Sequence, residues 1–409
     1  MGLDRWPSIA EELKNAPGPN NVMLAMSPQR TLVINGLHLT SGYDRTKEAQ
    51  IQAAMVPADA EEAWVYGVGM GDTITQLLMR ETTKKLHVVI PSRSIAKVAF
   101  EFDRHGWLDS PRVELHLAKD VGMQEPFCCS PVEVRFADDD AVHVRDKIAI
   151  ALNVEFNEFN MAARYEVEMA QLRENKAHID ASFPLKALTD NYTQKAAIIV
   201  GGGPSLSGFY EWIKTRQESN AVVIAASTAL WPLMRSGVVP DVVVCIDPAP
   251  VMTKHFRGLD LDKLNGTWLL YIPTVYPEVV ASWKGPKVCA NVNLRDDSDL
   301  YCGGSVAHSA TDLGVKIGCS EVFLVGVDLS YPGGVSHADG AKNPYLVTGP
   351  TQQWRTKTKN GLGEEVITDE ALQQYRVKME EYIARKPDVS FYKLGRQGVT
   401  IKGAEWFDV

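Results

Sequence analysis

Along the second half of the chain the apolar positions come in short continuous runs, not in alternation. The runs are the stretch opening Ala196–Leu206, then Ala221–Ala226, Val242–Ile246, Leu269–Ile272, Val288–Val292 and Val322–Val327. Ala229–Ser236 and Val306–Ile317 lie between them with helix-like patterns. Runs of this kind are strands covered on both faces, and their alternation with helices predicts a doubly wound, mostly parallel α/β sheet. Each run ends in small or polar residues: Ser227, Thr228 and Ala229; Asp247 and Pro248; Pro273 and Thr274; Asn291 and Asn293; Asp328. Ligands of such sheets bind beyond the carboxyl ends of the strands at the switch point. The polar ends therefore predict a site on one rim.

The first run, AAIIVGGGPSL, empties into Gly201, Gly202, Gly203, Pro204 and Ser205. Glycines let the main chain approach an anion, and a helix beginning near Leu206 would aim its positive dipole end at the same point. The turn is expected to hold a nucleotide phosphate on backbone N–H groups; a tight strand-to-helix turn with no ligand is the alternative. It is neither a Walker loop, because no Gly-Lys-Ser/Thr follows, nor a full G-x-G-x-x-G fingerprint.

GGGPSL is followed by STAL, by a turn from Gly237 to Pro240 and Asp241 into a strand ending at Asp247 and Pro248, by GGSV (Gly303, Gly304, Ser305, Val306), and by LVGVDLS (Leu324–Ser330). Together these blocks resemble the central domain of bacterial motility accessory factors, and are also similar to the archaeal 6-hydroxymethylpterin pyrophosphokinase-like family. The likeness runs from about Lys195 to Gly403. Upstream, Tyr43, Asp44, Lys47, Glu48 and Ala49, followed by the glycine turn Gly67, Gly69 and Gly71, are similar to the amino-terminal domain of the motility factors. The resemblance implies a nucleotide-dependent transferase that moves a nonulosonic, sialic-acid-like sugar from a CMP donor to a hydroxyl acceptor on a protein or glycan. Its other branch implies an ATP- and Mg2+-dependent pyrophosphokinase. A third reading is a non-catalytic nucleotide-binding partner in surface-glycan or flagellar assembly.

Read physically, Ala63–Gly71 is a second strand–glycine–helix element, and His87–Ile90 is the next strand. A dinucleotide or methyl-donor site wants an acidic side chain at that strand's end for the ribose hydroxyls, and Pro91 and Ser92 stand there instead. The first half is therefore expected to be Rossmann-like without a working cofactor site; a methyltransferase-like cofactor site is the alternative. The domains are expected at 1–143 and 191–409, joined over 144–190 by a segment in which Ile148, Ile150, Leu152, Phe156, Phe159, Met161 and Ala162 recur near helical spacing. Ala163–His178 reads as a long amphipathic helix that braces the domains or forms a dimer contact.

The 409 residues are enough for two ordinary cores. With 51 acidic against 42 basic residues the net charge is −9, which gives no nucleic-acid footprint. No apolar stretch approaches the ~20 residues of a membrane span, the amino terminus lacks a signal pattern, and six cysteines without a C-x-x-C pair fit reduced thiols. These features fit a cytoplasmic protein.

Acid–base work is expected from His337, in the glycine-rich stretch after Asp328, because imidazole titrates near neutrality. That stretch is long and polar enough to build or cover a site. Asp247 and Asp328 join His337 as catalytic candidates; holding sugar hydroxyls and capping the turn after the strand are the two readings of each aspartate. Nucleotide contacts are expected from Gly201, Gly202, Gly203, Pro204, Ser205, Ser227, Thr228, Asp247, Asn291, Gly303, Gly304 and Ser305. His308 is expected to cap or pack, and His255 to lie near the phosphate. No residue is assigned to a metal, no cofactor beyond the donor is implied, and Mg2+ with ATP belongs to the pyrophosphokinase reading alone.

Overall fold

The computed structural model describes residues 2–19, 21–26, 29–102, 105–152, 165–192, 196–293, 300–342, 345–347 and 356–409. The chain divides into two compact units, Met1–Leu152 and Asn153–Val409.

In the first unit β1 (Val22–Ala25), β2 (Thr31–Ile34) and β3 (Leu37–His38) form a small antiparallel sheet. A parallel sheet in the order β6-β5-β4-β7 follows, from β4 (Glu62–Tyr66), β5 (Lys85–Ile90), β6 (Val113–Leu117) and β7 (Phe127–Cys129). Val65, Leu86, Val88 and Leu115 bury against Ile74, Leu77, Ala96 and Phe100. The adjacent Cys128 and Cys129 occupy the β7 strand, where burial pushes the thiols up to about 12 and about 11. The Tyr43–Ala49 motif is a helix start: Asp44 caps the Arg45–Ala54 helix by accepting from the Lys47 N–H.

The glycine turn after β4 is closed from within. Gly67, Gly69 and Gly71 all have positive φ, as an L side chain rarely does. The Glu133 carboxylate, with no solvent exposure, accepts the Val68 N–H at 2.7 Å and the Gly69 N–H at 2.8 Å. Burial pushes its carboxyl up to about 7, against those two hydrogen bonds. Because the folded state binds this proton below about pH 7 and the unfolded chain only near its ordinary value, the contribution is present below pH 4.5 and lost as pH rises to about 7. The wild type should therefore gain stability on acidification across that window relative to Glu133→Gln. The amide must also turn its NH2 toward one donor, which is expected to cost about 1–3 kcal/mol. Denaturant midpoints of both proteins between these pH values check slope and offset.

The second unit is built on eight parallel strands: β8 (Ala197–Val200), β9 (Val222–Ala226), β10 (Val242–Cys245), β11 (Trp268–Tyr271), β12 (Lys287–Cys289), β15 (Glu321–Val325), β18 (Ser390–Lys393) and β19 (Ala404–Trp406). Their order is β12-β11-β10-β9-β8-β15-β18-β19. Two short pairs lie apart from it, β13 (Val292–Asn293) with β14 (Leu300–Tyr301), and β16 (Thr356–Lys359) with β17 (Glu365–Thr368). Alternate residues serve opposite faces: Ile199, Ile224 and Val244 bury against Ala310 and Leu313 of the Val306–Lys316 helix, while Ile198 and Val223 bury against Ile213 and Leu233. Both faces are covered, so the strands read as apolar runs. The chain winds outward from β8 in one direction and from β15 in the other, which puts the switch point between them.

The long amphipathic helix is interrupted. Within the described residues it is helical over 165–174, turns at Asn175 and resumes as Lys176–Asp180. Asn175 is buried and donates to the carbonyls of Pro273 (3.0 Å) and Val275 (2.8 Å), and Gln171 donates to Pro248 (3.0 Å). These bonds tie the segment to loops at the carboxyl ends of β10 and β11. Phe156, Phe159, Met161 and Ala162 lie outside the described residues.

Candidate functional site

A cavity of about 220 Å³ opens at the carboxyl ends of β8 and β15, walled by the turns that follow those strands and by the start of the Val306–Lys316 helix. It brings together Gly201, Gly202, Gly203, Thr228, Ser305, Asp328 and His337 from the expected set, with Ser330, Tyr331, Ser336, Tyr345 and Tyr375 beside them. Among the described lining residues there is one carboxylate and no lysine or arginine.

The three glycines have different reasons. A Cβ on Gly201 would lie 2.4 Å from the Gly326 carbonyl oxygen, and one on Gly203 would lie 2.4 Å from Asp328 Oδ2. Those two positions are fixed by the crossing of the turns after β8 and β15. Gly201 N–H donates to Val325 (2.8 Å) and Gly203 N–H to Gly326 (2.8 Å), while Ser205 gives its N–H (2.9 Å) and its hydroxyl (2.5 Å) to Asp328. Pro204 has no N–H. Of the expected cradle, only the Gly202 N–H has no partner among the described residues, and Val306, the first residue of its helix, also lines the cavity. An anionic group in the cavity would face the Gly202 N–H and the dipole end of an 11-residue helix.

Asp328 thus holds the glycine turn shut and is itself 2% exposed. Behind it lies Lys393 of β18, 1% exposed, whose Nζ is buried with no hydrogen-bond partner among the described residues and stands 5.1 Å from the Trp406 ring. Burial pulls this ammonium down to about 8, opposed by the Asp328 charge. A Cβ on Gly398 would lie 2.8 Å from Asp328 Oδ1 and 2.9 Å from Lys393 Nζ, so a residue larger than glycine there would wedge the pair apart.

His337 faces the cavity. Its Nδ1 and Ser336 Oγ are 2.9 Å apart, and Ser336 Oγ also accepts the Tyr345 N–H at 2.9 Å. The serine hydroxyl proton can be given to His337 Nδ1, the arrangement in which the ring proton sits on Nε2 as a donor. Burial lowers the imidazole below its usual range. His255, closing the Pro250–His255 turn, is pulled down to about 4 by burial and by His337, with Asp247 opposing. His308 is a cap: its Nδ1 accepts the Ser305 N–H at 3.2 Å, Nε2 lies 2.9 Å from the Tyr375 carbonyl, and Ser305 Oγ accepts from Ala307.

Other expected contacts sit elsewhere. Asp247 is exposed and accepts the Ala249 N–H at 2.8 Å, outside the cavity wall, although its charge reaches His255 and Tyr375. Ser227 is buried against Cys245. Asn291 is exposed at the sheet edge. Gly303 and Gly304 make room for the Glu370–Ala384 helix, since a Cβ on either would lie 2.7 Å from Lys378 Cβ or 2.8 Å from Tyr375 Cε1. The sequence reading missed the tyrosine wall. Tyr331 donates to Asp369 Oδ2 at 2.5 Å and lies 3.1 Å from the Tyr345 hydroxyl, while Asp369 caps the helix that carries Tyr375.

Residues 170–334 match the family model described as 6-hydroxymethylpterin diphosphokinase MptE-like. The matched stretch contains every block from GGGPSL to LVGVDLS. No curated protein matches the chain. Among solved structures, the MAf glycosyltransferase from Magnetospirillum magneticum AMB-1 matches with TM-score 0.45 and 16% identity over 99% of this chain and 73% of that one. The spermidine synthase from Thermotoga maritima matches with TM-score 0.23 and 10% identity over 31% of this chain and 52% of that one. A spermidine synthase in complex with the transition-state analogue AdoDATO matches with TM-score 0.23 and 11% identity over 28% and 44%. Scores this low identify no site residue. No helix among the described residues is long and apolar enough to cross a membrane.

Proposed function

We propose that this protein is a transferase that moves a nonulosonic sugar from a CMP donor to a hydroxyl acceptor in the cytoplasm. The observation that carries the reading is the charge inventory of the described cavity lining: no lysine or arginine, one histidine, the unpartnered Gly202 N–H, the start of the Val306–Lys316 helix, and one carboxylate already spent on Ser205. A leaving CMP carries one phosphate, which such a set can meet. As the acceptor oxygen attacks the anomeric carbon, the sugar–phosphate bond breaks with its electron pair on the phosphate oxygen. Gly202, Val306 and His337 Nε2 stabilise that oxygen, and the acceptor proton passes to solvent. The tyrosine hydroxyls and Thr228 supply partners for sugar or ribose hydroxyls. The pyrophosphokinase reading needs carboxylates to hold Mg2+ on a triphosphate, and Asp247, the other candidate, lies outside the cavity wall. Donor hydrolysis is therefore expected to persist in EDTA. Loss of activity in EDTA and its return with Mg2+ would move the assignment to pyrophosphoryl transfer.

The first unit stays outside this chemistry on the same reasoning. Glu133 takes the Val68 and Gly69 N–H groups that a cofactor would need, and losing one charge-assisted pair costs about 1.5–3 kcal/mol, roughly ten- to a hundredfold in affinity. Calorimetry on the full chain is expected to show no micromolar binding of S-adenosylmethionine or NAD, and micromolar binding of either would relocate the functional centre.

A further inference from the structure

One face of the first unit's parallel sheet carries a set of side chains that the transferase reading does not use. Strand alternation puts Glu62 and Trp64 of β4, Lys85 and His87 of β5, and Glu114 and His116 of β6 on that face, with Trp64 opposite His87 and His87 opposite Glu114. His87 is held rigidly. Trp64 stacks on its ring at 4.0 Å and 9°, and Glu62 Oε1 lies 2.6 Å from its Nε2, so the ring proton sits on Nε2 and the Nδ1 lone pair points outward. There it meets His116 Nε2 at 2.8 Å and Glu114 Oε2 at 3.5 Å, and the latter two atoms are 3.9 Å apart.

We propose that His87, His116 and Glu114 form a binding site for a divalent transition-metal ion of the zinc class. A triangle with sides 2.8, 3.5 and 3.9 Å has its centre about 2.0 Å from every corner, which is the zinc–nitrogen and zinc–carboxylate bond length. Two imidazoles and one carboxylate are a donor set that zinc prefers over calcium or magnesium. Glu62 behind His87 is the carboxylate–histidine pair that orients a metal-bound imidazole. The ion takes the place of the proton that His116 Nε2 now shares with His87 Nδ1, and that proton moves to His116 Nδ1. Side-chain exposure rises from 5% at His87 through 24% at His116 to 48% at Glu114, so the set is reachable and the fourth position faces solvent. Lys85 Nζ, 3.1 Å from Glu114 Oε2, is the group that must swing away, and it is 44% exposed on a flexible stem. Nothing in the local sequence shows the site, because His87 comes from another strand, 27 positions before Glu114.

Titration of the tag-free, metal-stripped full chain with Co2+ tests this. Visible absorption of a four-coordinate ion should appear and saturate at one equivalent, and Zn2+ should abolish it by displacement. His116→Ala should weaken Co2+ binding at least about a hundredfold, and Glu62→Gln, which touches no metal position, by about 10–100-fold. His116 is partly exposed, so circular dichroism should show a folded variant; Glu114→Gln is the second ligand test if it does not, with the same loss expected. No visible band on Co2+ addition, or a band that survives both His116→Ala and Glu114→Gln unchanged, would overturn the proposal.

Discussion

His337→Ala is expected to lower the turnover of a CMP-sugar donor by about 10²–10³-fold, the usual cost of removing one donor aimed at developing charge. The fold should survive, because the side chain's described polar partner is Ser336 Oγ at 2.9 Å. Ser336→Ala should cost less: the ring remains, but the hydroxyl that sets its tautomer is gone. KM should move little in either variant if the interaction is made mainly as the phosphate leaves. His255→Ala is the control, since it neighbours His337 outside the cavity wall. Steady-state rates of donor hydrolysis decide this, and an unchanged turnover number in folded His337→Ala would remove the histidine from the chemistry.

The second large effect falls on stability. Asp328→Ala strips Ser205 of the acceptor for both its N–H and its hydroxyl, and leaves the Lys393 ammonium buried with no counter-charge. Breaking a buried charge pair on one side costs about 3–5 kcal/mol. Adding Lys393→Met to that variant should recover a large part of the loss, because a methionine of similar length needs no partner in the same space. The single Lys393→Met has its own signature in pH. The lysine is held down at about 8 when folded, below its ordinary value, so between pH 8 and 10 the unfolded chain binds the extra proton. Wild-type stability should rise across that window relative to Lys393→Met. Strictly additive losses in the Asp328/Lys393 cycle, read by denaturant unfolding, would show that the two side chains do not interact.

Much of the second unit was legible because its strands are covered on both faces. Val242–Cys245 and Glu321–Val325 fall within a residue or two of the apolar runs that announce them. The rim was legible for the same reason, since only strand ends have polar partners to seek. The meaning of GGGPSL was less so. Gly201 and Gly203 are required by the Gly326 carbonyl and by Asp328, and a glycine demanded by a crossing chain looks the same in sequence as one demanded by a phosphate. GGSV posed the same problem, because Gly303 and Gly304 answer to Lys378 and Tyr375, some seventy residues away. By contrast, the His308 cap was visible locally: Ser305 and His308 are three apart at a helix start, the spacing of a capping box. β18, which carries Lys393, gave no clear run. Its SFYK alternates exposed or half-buried Ser390 and Tyr392 with buried Phe391 and Lys393, and it lies one strand from the sheet edge.

The central claim is that the cavity between β8 and β15 binds a nucleotide monophosphate through the Gly202 N–H without a metal. Titration calorimetry with CMP in EDTA, on the wild type and on Gly202→Ala, tests it most directly. A Cβ at position 202 would stand 2.8 Å from Thr228 Oγ1 and 3.3 Å from His337 Cδ2, so it crowds the cavity and not the sheet. The wild type is expected to bind CMP in the micromolar range with EDTA present, and Gly202→Ala to bind it at least about tenfold more weakly, a loss of about 1.4 kcal/mol. Equal CMP affinity in the two proteins, or nucleotide binding seen only for ATP in the presence of Mg2+, would contradict the account.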